Sequence, residues 1–278
     1  MKKLLCCFAL VVFLLPVCHA QTGVYRALCV ANAHYDDGRV RLGGINSAQG
    51  MYDCLSRSFG GYGSFISSMS VDLTKSELME TILLTFRDAV EGDVSLFYIN
   101  AHGGSQGGVY WIETREGGRV YPHELEQCLG AVPGYVIILI DACSSGGFIG
   151  NQSSFAENFS GAFGQNVFAS DKFAVMTSCY SDENSYRVTA DTAVEKSVST
   201  VFARAFCEGL GWDLINDRST ALKADADGDF RVSFAELLAY TRRRSMFYLS
   251  ASPAAVQTIN CSCADPGFLL ANRTPRSN

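Results

Sequence analysis

Two stretches of the chain stay apolar for the length of a strand and then stop at a polar cluster. The first, Val94-Ser95-Leu96-Phe97-Tyr98-Ile99-Asn100, runs into Ala101-His102-Gly103-Gly104. The second, Tyr135-Val136-Ile137-Ile138-Leu139-Ile140, runs into Asp141-Ala142-Cys143-Ser144-Ser145-Gly146-Gly147. Runs of this length, rich in β-branched residues and closed by glycines, predict strands buried on both faces, as in a parallel sheet. Ligands of open α/β sheets bind beyond the carboxyl ends of such strands. If the two strands are parallel neighbours, His102 and Cys143 stand on one rim.

Around them the pattern alternates between strand and helix. Val24 to Ala31 predicts a first strand and Asn46 to Phe59 a helix, with Met51, Cys54, Leu55 and Phe59 near one face. Ser64 to Met69 predicts a second strand, and Thr74-Lys75-Ser76-Glu77 is a capping box opening a helix to Ala89. Val109 to Thr114 and Arg119 to Tyr121 flank Glu116-Gly117-Gly118 as a hairpin, and Pro122 opens a helix through Leu129. Residues 148–171 are rich in Gly, Ser, Asn and Phe and read as a long loop with some helix. Phe173 to Thr177 predicts another strand, and Ser199 to Gly209 a helix. The alternation implies right-handed crossovers and an α/β fold: a doubly wound, mostly parallel sheet flanked by helices. The expected organisation is one domain over residues 21–215, with a small C-terminal extension, 216–278, packed on it.

Composition changes this picture in one respect, the compartment. With 278 residues, 48% hydrophobic and 18% charged, the chain can bury a large core. A net charge of -6 with 22 Lys and Arg argues against a nucleic-acid partner. Residues 1–20 read as a signal peptide: Lys2 and Lys3, an apolar run from Leu4 to Val17, then Cys18-His19-Ala20 before Gln21. Lipoprotein anchoring at Cys18 ranks behind cleavage, because Pro16 and Val17 fit such a site poorly. No later segment is long and apolar enough for stable membrane insertion. The expectation is an exported protein, periplasmic or secreted. Beyond the leader there are eight cysteines, Cys29, Cys54, Cys128, Cys143, Cys179, Cys207, Cys261 and Cys263, read mostly as buried small hydrophobes rather than a disulfide framework.

The chemistry lies in the two clusters. A thiol becomes a nucleophile as thiolate, and an imidazole beside it can take the proton. His102 and Cys143 lie 41 residues apart in the chain (143 minus 102).

At these residues the chain resembles the caspase-like cysteine peptidases: caspases, metacaspases, legumains, clostripain and gingipains. The resemblance rests on His102-Gly103, Asp141-Ala142-Cys143-Ser144-Ser145-Gly146 and Thr177-Ser178-Cys179 with Asp182-Glu183-Asn184-Ser185. Gly44-Ile45-Asn46-Ser47-Ala48 is similar to a metacaspase loop in which Asp stands where Ser47 does. The resemblance implies that Cys143 is the nucleophile and His102 the acid/base. The backbone amides of Gly103 and Cys143 would then hold the oxyanion, and the substrate would be a peptide or protein. It also implies that Asp141, two before the nucleophile, lines the pocket for the residue preceding the scissile bond, with Ser178 and Asp182 nearby. A carboxylate there suits Arg or Lys, and no arginine is expected in that pocket from the Arg39 to Ser47 loop. The alternatives are a legumain-like asparaginyl peptidase or transamidase, and a catalytically silent binding module. Catalysis needs no cofactor on this reading.

The extension carries Asp225-Ala226-Asp227-Gly228-Asp229-Phe230-Arg231-Val232-Ser233-Phe234-Ala235-Glu236. Asp225, Asp227, Asp229, the Arg231 carbonyl and Glu236 fall at the ligand positions of an EF-hand-type calcium loop, with Phe230 where glycine is usual. The same residues also read as a capping box, Ser233 to Glu236, so calcium stands as an open expectation.

Overall fold

The computed structural model of the protein describes residues 23–57, 65–149, 168–189, 198–252 and 254–272. The leader segment 1–20 and most of the 148–171 loop lie outside them. In chain order, β1 (Tyr25–Ala31) leads to α1 (Gly44–Arg57), β2 (Ile66–Val71), α2 (Lys75–Thr85) and β3 (Val94–Asn100). A meander of β4 (Gly103–Gln106), β5 (Val109–Glu113) and β6 (Arg119–Val120) precedes α3 (Pro122–Gly130) and β7 (Tyr135–Asp141). A 3-10 turn at Ser145–Ile149 and β8 (Phe173–Thr177) follow, then the ribbon of β9 (Arg187–Thr189) and β10 (Val198–Thr200), and α4 (Val201–Gly209). The rest is β11 (Trp212–Asp213), β12 (Arg218–Ser219), β13 (Arg231–Ser233), α5 (Phe234–Leu249), β14 (Asn260–Cys263) and β15 (Leu269–Asn272).

Among the described residues the main sheet has six strands in the order β14-β8-β7-β3-β1-β2. All pairings are parallel except β14 with β8. The two uninterrupted apolar runs are its central strands, β3 and β7, and every residue of β3 is buried. Their side chains divide by parity between two cores. Leu96, Tyr98, Ile137 and Leu139 pack with Met51 and Leu55 of α1, Phe202 and Phe206 of α4, and Leu237 of α5. Phe97, Ile99, Ile138 and Ile140 pack with Leu78 and Ile82 of α2 and Leu125 and Leu129 of α3. Helices on both faces are why these strands carry no polar alternation. Truncating one such side chain, Leu139→Ala, would cost about 2–5 kcal/mol.

Helix starts follow local chemistry. Thr74 and Glu77 form the reciprocal capping box that opens α2, and Ser233 with Glu236 does the same for α5. The α2 helix ends at Thr85, short of the expected Ala89, because Phe86 leaves helical geometry and Ala89 N–H turns back to the Phe86 carbonyl. Two strands gave no apolar signal. Gly103–Gln106 has no large side chain, and Asn260–Cys263 is short and half polar; each is held by its ladder, to β5 and β8 respectively. The extension is therefore more than a packed appendage, since β14 is an edge strand of the main sheet.

Candidate active site

The β3 and β7 register pairs Asn100 with Asp141. His102 and Cys143, each two residues further on, leave the sheet at the same level on adjacent strands. Strand order reverses between β1 and β3, so a crevice opens beyond their carboxyl ends. A cleft of about 360 Å³ lies there, lined by Val40, Arg41, Leu42, His102, Ser185, Tyr186, Arg187 and Thr200.

His102 is half-buried, and its backbone is tied on both sides. Its N–H donates to the Tyr35 hydroxyl (2.8 Å), and its carbonyl accepts from Glu113 N–H (2.8 Å). Burial lowers its pKa from the usual 6.5, and the nearby Arg41 and Arg39 lower it further, against opposition from Glu113 and Asp37. The imidazole is thus kept neutral further into the acid range.

Cys143 sits in a tight turn. Its Sγ accepts a long hydrogen bond from Ser185 N–H (3.4 Å). Ser144 adopts φ +57°, a left-handed conformation that costs a non-glycine residue energy and that its N–H bond to the Glu183 carbonyl (2.9 Å) helps to hold. Gly103 runs beside this turn: a Cβ there would overlap the Cys143 carbonyl oxygen and lie 2.9 Å from Ala142 Cβ. Because Glu113 N–H bonds the His102 carbonyl, Gly103 and Ile112 form a non-hydrogen-bonded pair, and the ladder leaves the Gly103 amide unused. Only glycine brings that amide so close to the Cys143 backbone.

Asp141 does not form an open pocket floor, which corrects the premise of the basic specificity. Its carboxylate is fully buried and accepts from the hydroxyls of Tyr98 (2.9 Å), Ser185 (2.7 Å) and Thr200. A guanidinium stands 3.8 Å away, that of Arg41. Arg41 also donates to Asn100 Oδ1 (2.8 Å) and the Asp141 carbonyl (3.2 Å), and it lines the cleft. The expectation that this loop brings no arginine to the pocket is therefore overturned. Ser178 is buried beneath the Cys143 turn, donating to the Ala142 carbonyl (3.2 Å), and does not line the cleft. Asp182 is exposed and also absent from the lining.

Sequence reasoning missed Arg41, Tyr35, Ser185 and Thr200. One signal was available for the first two, because the loop after β1 must open on the rim that bears His102.

In the extension, carboxylate oxygens of Asp225, Asp227 and Asp229 come within 4.8 Å of one another, as a hard cation requires. Phe230 takes φ +66° at the position where glycine is usual, so the loop makes the expected turn with an unfavourable residue. Glu236 accepts from Ser233 and from Ala226 N–H, serving as helix cap. The eight cysteines after the leader are free, and Cys29, Cys54, Cys179 and Cys207 are buried. Among the described residues, no helix is long and apolar enough to cross a membrane.

The comparisons agree with this architecture. The sequence profile of the Caspase domain matches residues 25–244, and the chain belongs to that family. No curated protein sequence matches it. Among solved structures it is similar to caspase-1 from Spodoptera frugiperda, with TM-score 0.57 and 16% identity over 92% of each chain. It is also similar to protein GSU0716 from Geobacter sulfurreducens, with TM-score 0.58 and 14% identity over 90% of this chain and 97% of that one. At these identities the likeness is one of fold.

Proposed function

We propose that the protein is an exported cysteine endopeptidase in which Cys143 attacks the peptide carbonyl and His102 moves the proton. The observation that carries this reading is the shared rim: a neutral-leaning imidazole and a half-buried thiol at equivalent positions of adjacent parallel strands. Sγ adds to the carbonyl carbon, and the oxyanion is held by the amides of Gly103 and Cys143. His102 protonates the leaving amine, and water then hydrolyses the thioester with His102 as base.

The pocket reading follows from the charges. Two arginines, Arg41 and Arg187, line the cleft, while the Asp141 carboxylate lies behind the Ser185 and Thr200 hydroxyls. An arginine or lysine side chain would face like charge and find the carboxylate already saturated. An acidic side chain would meet guanidinium donors. We therefore assign the pocket to Asp or Glu, in place of the Arg or Lys preference that Asp141 suggests in sequence. Calcium at Asp225, Asp227, Asp229, the Arg231 carbonyl and Glu236 is part of the proposal as a structural ion, since none of these residues lines the cleft.

The test is a fluorogenic peptide panel with Asp, Glu, Asn, Arg or Lys before the cleavable bond, run on wild type and Cys143→Ala. Cleavage lost in the variant supports the nucleophile, and preference for Asp or Glu supports the pocket. Cleavage after Arg or Lys would reject the pocket assignment. A wild-type thiol at position 143 that reacts with iodoacetamide no faster than free cysteine, with no cleavage, would reject the enzyme.

A further inference from the structure

Beyond Asn100 the parallel ladder loses a partner, because β1 has ended and its chain turns away. Asn100 O still accepts from Asn32 N–H on the β1 side, and Ala101 N–H turns to the Asp141 carbonyl on the β7 side. By this alternation His102 N–H faces the side that β1 has left, the same side on which its carbonyl meets Glu113 N–H. The Tyr35 hydroxyl fills the place, accepting that N–H at 2.8 Å. The same side chain lays its ring against the imidazole, with centroids 4.9 Å apart and planes tilted by 41°.

Tyr35 is itself fixed. It is 5% exposed, and its loop is closed by bonds from Tyr35 N–H to the Arg39 carbonyl (3.0 Å) and from Gly38 N–H to the Tyr35 carbonyl (2.9 Å). The Arg39 guanidinium lies 5.1 Å from the Tyr35 ring centroid and 2.7 Å from Glu113 Oε2. Glu113 is the residue whose N–H holds the His102 carbonyl. Tyr35, His102, Glu113 and Arg39 therefore form a closed circuit of contacts, in which the Tyr35 ring meets the imidazole and the other bonds hold the His102 backbone.

We propose that Tyr35 is the positioning residue for His102, fixing its backbone through the hydroxyl and its imidazole through the ring. It acts through His102 and touches no reacting atom. The proposal rests on His102 being the acid/base of the peptidase reading, but its two contacts are separable by substitution. Tyr35→Phe keeps the ring and removes the acceptor; Tyr35→Leu removes both.

The experiment has two arms. In the first, kcat and KM are measured per active site, with sites counted by irreversible alkylation of Cys143, so that a misfolded fraction is not scored as lost chemistry. Tyr35→Phe should lower kcat about 10-fold and Tyr35→Leu about 100-fold, with KM within about twofold, as expected for a misplaced catalytic group. In the second, the His102 ring is titrated by NMR in a Cys143→Ala background, which needs no turnover. Tyr35→Leu should raise its pKa toward 6.5 as the ring becomes hydrated, and Tyr35→Phe should leave it near wild type. Unchanged kcat per site together with an unchanged titration in Tyr35→Leu would overturn the proposal. Absence of wild-type turnover would count against the peptidase reading alone, and the titration would still decide the role of Tyr35.

Discussion

Replacing Arg41 by glutamine tests the pocket assignment most directly, and its effects can be worked from the contacts. The Arg41 side chain is 10% exposed and lies 3.8 Å from the buried Asp141 carboxylate. At an effective dielectric of about 20 that separation corresponds to roughly 4 kcal/mol of attraction before desolvation is counted. Removing one partner of a buried pair typically costs about 3–5 kcal/mol. Here three hydroxyls still donate to Asp141, so a loss of about 2–3 kcal/mol in folding stability is expected. For a substrate with Asp before the scissile bond, one charge-assisted bond worth about 1.5–3 kcal/mol disappears, and kcat/KM should fall roughly 10- to 150-fold. An Arg substrate gains, because a repelling cation has gone. The ratio of Asp to Arg turnover should therefore drop by about three orders of magnitude at most and one at least. The assay is the paired-substrate kcat/KM ratio, with urea unfolding to confirm that the variant is folded. Arg41→Gln combined with Asp141→Asn should recover much of the stability, since neither buried charge is then left alone, without restoring the Asp preference. A folded Arg41→Gln enzyme whose Asp-to-Arg ratio stays within threefold of wild type would refute the pocket argument.

Three further outcomes follow from the geometry. Because burial, Arg41 and Arg39 lower the His102 pKa, the base stays neutral below pH 6.5, so the acid limb of kcat/KM should lie under that value. Arg39→Gln removes one of those cations and should move the limb upward; a downward or absent shift in the pH profile would contradict the assignment of cause. Gly103→Ala places a methyl against the Cys143 carbonyl and should lower kcat about 10²–10³-fold through the displaced oxyanion amide, measured at saturating substrate. A change under threefold would remove Gly103 from the oxyanion site. Phe230→Gly relieves a left-handed phenylalanine whose side chain is exposed, and should stabilise the fold by about 0.5–1 kcal/mol. The same thermal melts with calcium and with EDTA should show a higher Tm with calcium for both forms, and equal melts would dismiss the ion.

The centre of the fold was legible because β3 and β7 are apolar on both faces, a pattern that leaves little choice but a covered parallel strand. Their polar ends then located His102 and Cys143, since a two-residue offset from a shared register follows from adjacency alone. The pocket was less legible. Asp141 reads as a free carboxylate in sequence because its neighbours in space, Tyr98, Ser185, Thr200 and Arg41, lie 43, 44, 59 and 100 residues away along the chain. Three of these partners are uncharged hydroxyls with no motif of their own. Tyr35 was less legible for a related reason: the loop after β1 had to open on the rim that bears His102, but nothing local says which of its residues would meet that backbone.

The same distance effect explains why a boundary at residue 215 divides the site rather than bounding it. The loop that offers Ser185 to Cys143 and to Asp141 is held from beyond α5. Glu183 accepts from Thr258 N–H (2.6 Å) and from the Thr258 hydroxyl (2.9 Å), while Gln257 Oε1 accepts from Tyr186 N–H (2.8 Å). Residues 257 and 258 are fixed in turn because β14 follows at once and pairs with β8. Glu183 also gives its carbonyl to Ser144 N–H, so one residue ties the C-terminal strand to the strained position after Cys143. Removing the extension would leave the Glu183 carboxylate and the Tyr186 amide without these partners, beside a turn that needs support to keep a left-handed serine. The C-terminal segment is thus part of the scaffold that holds the Cys143 turn, and the thiol's geometry depends on a ladder formed more than 110 residues later in the chain, at Asn260–Cys263.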